Sequence, residues 1–254
     1  MTKKVLEIGD LHVGSEYGLN HPDYMSAADR KESDGPELYD RLCKVRDAAG
    51  KCDVVLVMGD TCDGANPKER GDDRTASEDR QVEIAAKILR EIKGSPKFYC
   101  VDGSGYHRGI RRLDEMVDDK IDAVTHPHYL TRAPPVFDIK IENVFFNIAH
   151  FISVSKSTWQ YQSTSIAREE VLAILNKNPG NIILRGHAHY YVYAGYLHHL
   201  GMVCPSWQLK TPFMGRISPV NEYRIGSVIF DIKDDVWNWD DTHIWETKAE
   251  VVTA

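Results

Sequence analysis

The chain has 254 residues, 42% hydrophobic and 27% charged, enough to bury a substantial core as one large domain or two small ones. No apolar run approaches the ~20 residues of a membrane helix, and the net charge of −7 speaks against a general nucleic-acid coat. Five cysteines (Cys43, Cys52, Cys62, Cys100 and Cys204) form no CxxC pair and are odd in number. That argues against a disulfide framework and for a cytoplasmic setting. The opening MTKKVLEIGD lacks a signal-peptide apolar region.

In chain order, Val5–Ile8 reads as a buried strand. A helix follows from about Pro36 to Ala49, with Leu38, Leu42, Val45 and Ala49 on one face and Gly50 behind it. Val54–Met58 is a second strand. Ser77 is placed to cap a helix whose stripe is Val82, Ala85, Ala86, Leu89 and Ile92. Phe98–Val101 is a third strand. This β-α-β-α-β order predicts a largely parallel sheet with helices on its faces. Val136–Ile141 and Val144–Ile148 then read as a hairpin turning at Glu142-Asn143. A helix is expected from about Ile166 to Asn178, stopped by Asn178-Pro179-Gly180. A strand at Ile182–Leu184 follows, then several β segments, including a pair around Asp234-Asp235. No repeat or linker divides the chain, so one domain over 1–254, two packed sheets with outer helices, is the expected architecture.

What stands at the strand ends is the informative part. Strand one runs into Gly9-Asp10-Leu11-His12, and strand two into Gly59-Asp60-Thr61-Cys62-Asp63-Gly64. Strand three runs into Asp102-Gly103-Ser104-Gly105-Tyr106-His107. The hairpin ends in Ala149-His150, and the strand at 182–184 leads to Gly186-His187-Ala188-His189. Ligands of open α/β sheets bind beyond the carboxyl ends of strands. Residues i and i+2 of an extended chain project to one side. Asp10 with His12, and His187 with His189, are thus each placed to aim two donors at one spot. Carboxylate and neutral imidazole suit Zn²⁺, Mn²⁺ or Fe, and thiolate is absent from every cluster. Six donors exceed the need of one tetrahedral ion and suit two ions bridged by a shared carboxylate, with Asp60 the natural bridge. Singly, Asp-x-His and the Gly-Asp block read as turns and His150 as a partly buried structural histidine, while Gly-His-x-His is the stronger signal; their joint occurrence, in order, points to a metal centre.

With these residues in view, the chain resembles the calcineurin-like metallophosphoesterases, whose ordered signature is D-x-H, G-D-x-x-D, G-N-H, a later H, and G-H-x-H. The resemblance covers residues 5 to about 190. It implies an α/β four-layer αββα sandwich, two mixed β-sheets flanked by helices (the metallo-dependent phosphatase fold), and two divalent ions. Mn²⁺ is the leading choice, with Zn²⁺, Fe²⁺, Ni²⁺, Co²⁺ and Mg²⁺ as alternatives. Carried over, Asp10, His12, Asp60 and His189 hold one ion and Asp60, His150 and His187 the other. Asp63 orients a ligand, and His107 is the catalytic histidine facing the leaving group.

The third block departs from the pattern. Ser104 stands where asparagine is expected, and two residues are inserted before His107. A serine hydroxyl is a weaker ligand, so the second ion is expected to be held more loosely. Arg108 is a candidate phosphate-binding residue, with Arg111 and Arg112 behind it; the alternative reading is a solvated helix start balanced by Asp114 and Glu115. The long loops 13–35, 61–76, 151–165 and 205–220 carry Tyr17, Trp159, Tyr161, Trp207 and Phe213, aromatics of a kind that can stack a base. The implied activity is hydrolysis of a phosphodiester or phosphomonoester of a nucleotide or related small molecule. A DNA or RNA nuclease is the first alternative, although nucleic acid is the less favoured partner. A non-catalytic scaffold on this fold is the second. No membrane partner is expected.

Overall fold

The computed structural model describes residues 1–27, 30, 34–65, 77–152, 162–176, 180–196, 198–217 and 223–247. Strands β1 (Lys3–Ile8), β2 (Cys52–Val57) and β3 (Gly94–Cys100) run parallel, with α1 (Gly35–Ala49) and α2 (Glu78–Arg90) as their crossovers. The local signals behave as their chemistry dictates. Ser77 Oγ accepts from the Arg80 amide at 3.2 Å and caps α2. Gly50 takes φ 64° directly after α1, a conformation that a side chain would strain. Ile84 and Ile88 are buried along with the expected stripe of α2, so that helix is sunk more deeply than a one-faced pattern requires.

The short helix α3 (Leu113–Lys120) follows β3, where the sequence suggests only a helix start. Next come β4 (Val136–Ile141) and β5 (Val144–Ala149), paired antiparallel about the expected turn, where Glu142 takes φ 54°. Helix α4 (Gln162–Leu175) starts a turn before the expected Ile166, while the stop signal at 178–179 lies outside the described residues. Strands β6 (Ile182–Arg185), β7 (Val192–Tyr196) and β8 (His199–Val203) complete a second sheet in the order β4-β5-β6-β8-β7. A further short helix, α5 (Pro212–Ile217), sits in the expected 205–220 loop. Strand β9 (Arg224–Gly226) pairs with β12 (Ile244–Glu246) as a separate ribbon. Between them β10 (Ile229–Lys233) and β11 (Val236–Asp240), joined at Asp234-Asp235, return to the first sheet, giving β11-β10-β1-β2-β3. Both five-stranded sheets mix parallel and antiparallel pairs.

Three apolar clusters show how the layers stack. Leu6, Ile8, Val55 and Val57 face Leu38, Leu42, Val82 and Leu89 of α1 and α2. Their alternate neighbours Val5, Val54 and Leu56 face Phe146, Ile148, Leu184 and Met202 of the second sheet. On that sheet's far side Ile183 and Val203 meet Ile166 of α4. Period-two alternation thus splits each strand between two interfaces, and the order is helix, sheet, sheet, helix. Among the described residues no helix is long and apolar enough to cross a membrane.

Candidate metal centre

The loops leaving β1, β2, β3, β5 and β6 meet at one end of the seam between the sheets. Backbone pairing continues past the strands: Asp10 N–H donates to Gly59 O at 3.0 Å, and His12 N–H to Asp60 O at 3.1 Å. The first two loops therefore leave the sheet as a stitched pair. Five of the six candidate ligand residues (Asp10, His12, Asp60, His187 and His189) have φ between 45° and 69°. Left-handed backbone at a non-glycine residue costs about 1–3 kcal/mol and gathers at functional sites.

These residues form three groups whose ligand atoms lie within 4.8 Å of one another: Asp10, His12 and His189; His12, Asp60 and His107; Asp60, His150 and His187. Asp60 belongs to two of them and stands between His12 and the His150–His187 pair. Asp10 and His12 converge as expected, although both are left-handed and the chain there is not extended. His187 and His189 do not: one joins each end of the centre. The chain is not extended there, since Ala188 N–H bonds to Gly186 O at 2.8 Å and both histidines are left-handed. Two sandwiched mixed sheets with these groups at their strand ends settle the architecture. It is a four-layer sandwich, two mixed sheets between helices.

The residues fit divalent ions on their own hydrogen bonding. His12 Nδ1 bonds Asp63 Oδ1 at 3.0 Å, which turns Nε2 inward to 3.3 Å from His189 Nε2. His150 Nδ1 donates to Met58 O at 2.7 Å, which leaves Nε2 bare, 3.1 Å from Asp60 Oδ2 yet without a hydrogen bond. Asp10 Oδ1, 3.2 Å from His189 Nε2, also lacks a hydrogen-bond partner. Buried lone pairs facing one another call for a shared proton or a cation between them. Carboxylate or carbonyl behind each imidazole is the arrangement that fixes a metal-binding tautomer.

Electrostatics carry the same message. Burial pushes the His12 pKa down, but hydrogen bonds to Asp10 and Asp63 and the Asp60 charge override it and lift the value to about 10. For His150 burial likewise opposes, and the charges of Asp60 and Asp10 raise the pKa to about 9. Burial alone would raise Asp63, yet hydrogen bonds from His107 and His12 bring it to about 2. At pH 7, below both raised values, chelator-stripped protein therefore carries an extra proton on His12 and on His150, which an ion must displace. Calorimetric titration with Mn²⁺ at pH 7 in buffers of different ionisation enthalpy is expected to show about two protons released. Release should fade, and affinity level off, as the pH rises through 9 to 10. Titration with no proton release at pH 7 would contradict this account.

Other expected residues fall as follows. Ser104 is buried; its N–H donates to Asp60 Oδ1 at 2.7 Å, and its hydroxyl oxygen accepts from His107 N–H at 3.4 Å. His107 Nδ1 donates to Asp63 O at 2.9 Å, and its ring meets His12 edge-on at 4.4 Å between centroids. Arg108 is paired with Asp102, Arg111 with Glu78 and Asp79, and Arg112 with Glu115. All three arginines are thus engaged by acids. Asp114 is not among those partners. Trp207 is wholly buried, donates to Ser227 Oγ at 3.1 Å and packs in the first sheet's core, so it is not a stacking surface. Tyr17 and Phe213 are half-buried, while Trp159 and Tyr161 lie outside the described residues.

Two positioning residues escape the sequence reading. Asp114, buried on α3, accepts from Thr61 N at 2.9 Å, Thr61 Oγ1 at 2.7 Å and Gly103 N at 3.0 Å, tying the second loop to the third. Gln81 of α2 accepts from Gly64 N at 2.8 Å and anchors the far end of the second loop. Gly103 is compelled by proximity, because a Cβ there would overlap the Asp60 amide and carboxylate.

No sequence-family profile and no curated protein match the chain. Solved structures do. Wild-type Vps29 of Entamoeba histolytica in complex with Zn²⁺ is 15% identical with TM-score 0.48, over 96% of this chain and 97% of that one. Chaetomium thermophilum Vps29 is 13% identical with TM-score 0.47, over 96% and 95%. An archaeal phosphodiesterase is 11% identical with TM-score 0.45, over 93% and 98%. At these values the likenesses add nothing to the geometry above.

Proposed function

We propose that the protein is a calcineurin-like phosphoesterase hydrolysing phosphodiester bonds of nucleotides or related small molecules at a dinuclear centre. Asp60 carries the reading, because it is grouped with His12 on one side and with His150 and His187 on the other, and so stands where a bridge between two ions would be. Asp10, His12 and His189 would complete one site, and His150 and His187 the other, with manganese the leading ion. Ions held there would supply a hydroxide-like water near neutral pH and neutralise phosphate charge.

The chain's own part in the chemistry centres on His107. Burial and the nearby His12 lower its pKa, but the Asp63 hydrogen bond and the charges of Asp60 and Asp63 more than offset this, so it is raised. That shift favours the protonated ring. With Nδ1 committed to Asp63 O, Nε2 is the nitrogen that can donate to a leaving oxygen. Asp63 serves both histidines, fixing the orientation of His12 and of His107.

The deciding experiment measures bound metal, then turnover of a chromogenic phosphodiester, a phosphomonoester and single-stranded DNA with Mn²⁺ added. Diester turnover supports the proposal, rapid DNA cleavage would favour a nuclease, and no turnover would favour a scaffold. His107→Ala is expected to retain metal and lose about 10²–10⁴-fold in rate on diesters with poor leaving groups. Unchanged rates on those substrates would refute its role.

A further inference from the structure

Phe151 is the residue after ligand candidate His150, and it is 55% exposed. Its neighbours hold it there. His150 is wholly buried, and Ile152 is buried against the outer face of the second sheet, so the chain is anchored on both sides of the ring. The outward position is built into the backbone. The ring also lies against the centre itself, 4.9 Å from the His187 ring at 50° and 5.2 Å from the His150 ring at 85°. Both imidazoles belong to the Asp60 group. An uncharged aromatic face therefore borders the site where the phosphate of a substrate would sit. Phenylalanine offers neither charge nor hydrogen bond there, so what it can recognise is a flat apolar surface.

We propose that Phe151 is a stacking platform that selects phosphoesters whose alcohol carries a planar aromatic group, a nucleoside being the biological form. This rests on the metal-centre reading and assigns that site its substrate class. Stacking of a base on an aromatic side chain accounts for about tenfold or more in affinity.

The test uses Mn²⁺-loaded protein and calorimetric binding of adenosine 5′-monophosphate, ribose 5-phosphate and orthophosphate. Wild type is expected to bind the adenosine compound about tenfold more tightly than ribose 5-phosphate, which lacks only the base. Phe151→Ala should close that gap to within about twofold, and Phe151→Leu, which keeps apolar bulk without a ring, should close most of it. Phe151→Trp should keep the gap. Orthophosphate affinity and bound metal should be the same in all four proteins. A gap that survives in the alanine or leucine variant, or that is missing from wild type, overturns the platform while leaving the metal centre standing. If orthophosphate fails to bind wild type, the metal-centre reading falls and the platform falls with it.

Discussion

Asp60→Asn is expected to reduce turnover about a thousandfold and to cut bound metal by about half or more. Asparagine matches the shape of aspartate and tolerates the left-handed backbone at φ 46°, so the loop should keep its path. It can also still accept the 2.7 Å bond from Ser104 N–H. What disappears is the negative charge shared by two ligand groups, a loss of several kcal/mol of electrostatic stabilisation at a buried centre. Metal content by elemental analysis, steady-state rates and a melting curve check this together. Full metal with a rate within tenfold of wild type would show that Asp60 does not bridge.

Asp114→Ala should have the largest effect on stability of any change near the site. It leaves two amides and a hydroxyl without an acceptor. Unmet buried groups cost about 1–3 kcal/mol each, and water entering the space offsets part, so a net loss of about 3–5 kcal/mol is expected. At 2–4 °C per kcal/mol for a chain of this size, the melting temperature should fall by about 10 °C. Freeing Gly103 also loosens the Ser104 bond to Asp60, so metal affinity should drop about 10–100-fold. Asp114→Asn separates the two effects. Its oxygen can still accept both Thr61 donors while its amide opposes Gly103 N–H, so most of the melting temperature should return without full metal affinity. An alanine variant melting within a few degrees of wild type would refute the clamp.

How much of this could be read beforehand depended on whether position in the chain or position in space carried the signal. β1, β2 and the first hairpin announce themselves, because their apolar runs end in turn residues within a few positions of the observed limits. The order of Asp and His at strand ends survives any error in loop length, and so the residues that the structure gathers at the seam were legible. Of helix α3 only a start was. Its inward face is Leu113, Asp114, Val117 and Asp118, half carboxylate, which hides the apolar period. Asp114 looked like a surface acid balancing arginines, since nothing local announces partners 53 and 11 residues away. The aromatics failed for a related reason: Trp207 sits in an expected loop yet belongs to the core, while Phe151 passed unnoticed beside His150.

The centre draws Asp10, His12, Asp60 and Asp63 from loops of the first sheet and His150, His187 and His189 from loops of the second. Neither sheet alone presents all six candidate ligands. Metal capture across the seam would therefore report that the two halves have docked, and a nascent chain that has emerged only to residue 130 would carry Asp10, His12 and Asp60 without His150, His187 and His189. Ions held across the seam would fasten the sheets at the end where no backbone ladder joins them. Loaded protein should then resist sliding of one sheet over the other, and the metal supply in the cell would govern how long the folded chain survives as well as whether it works.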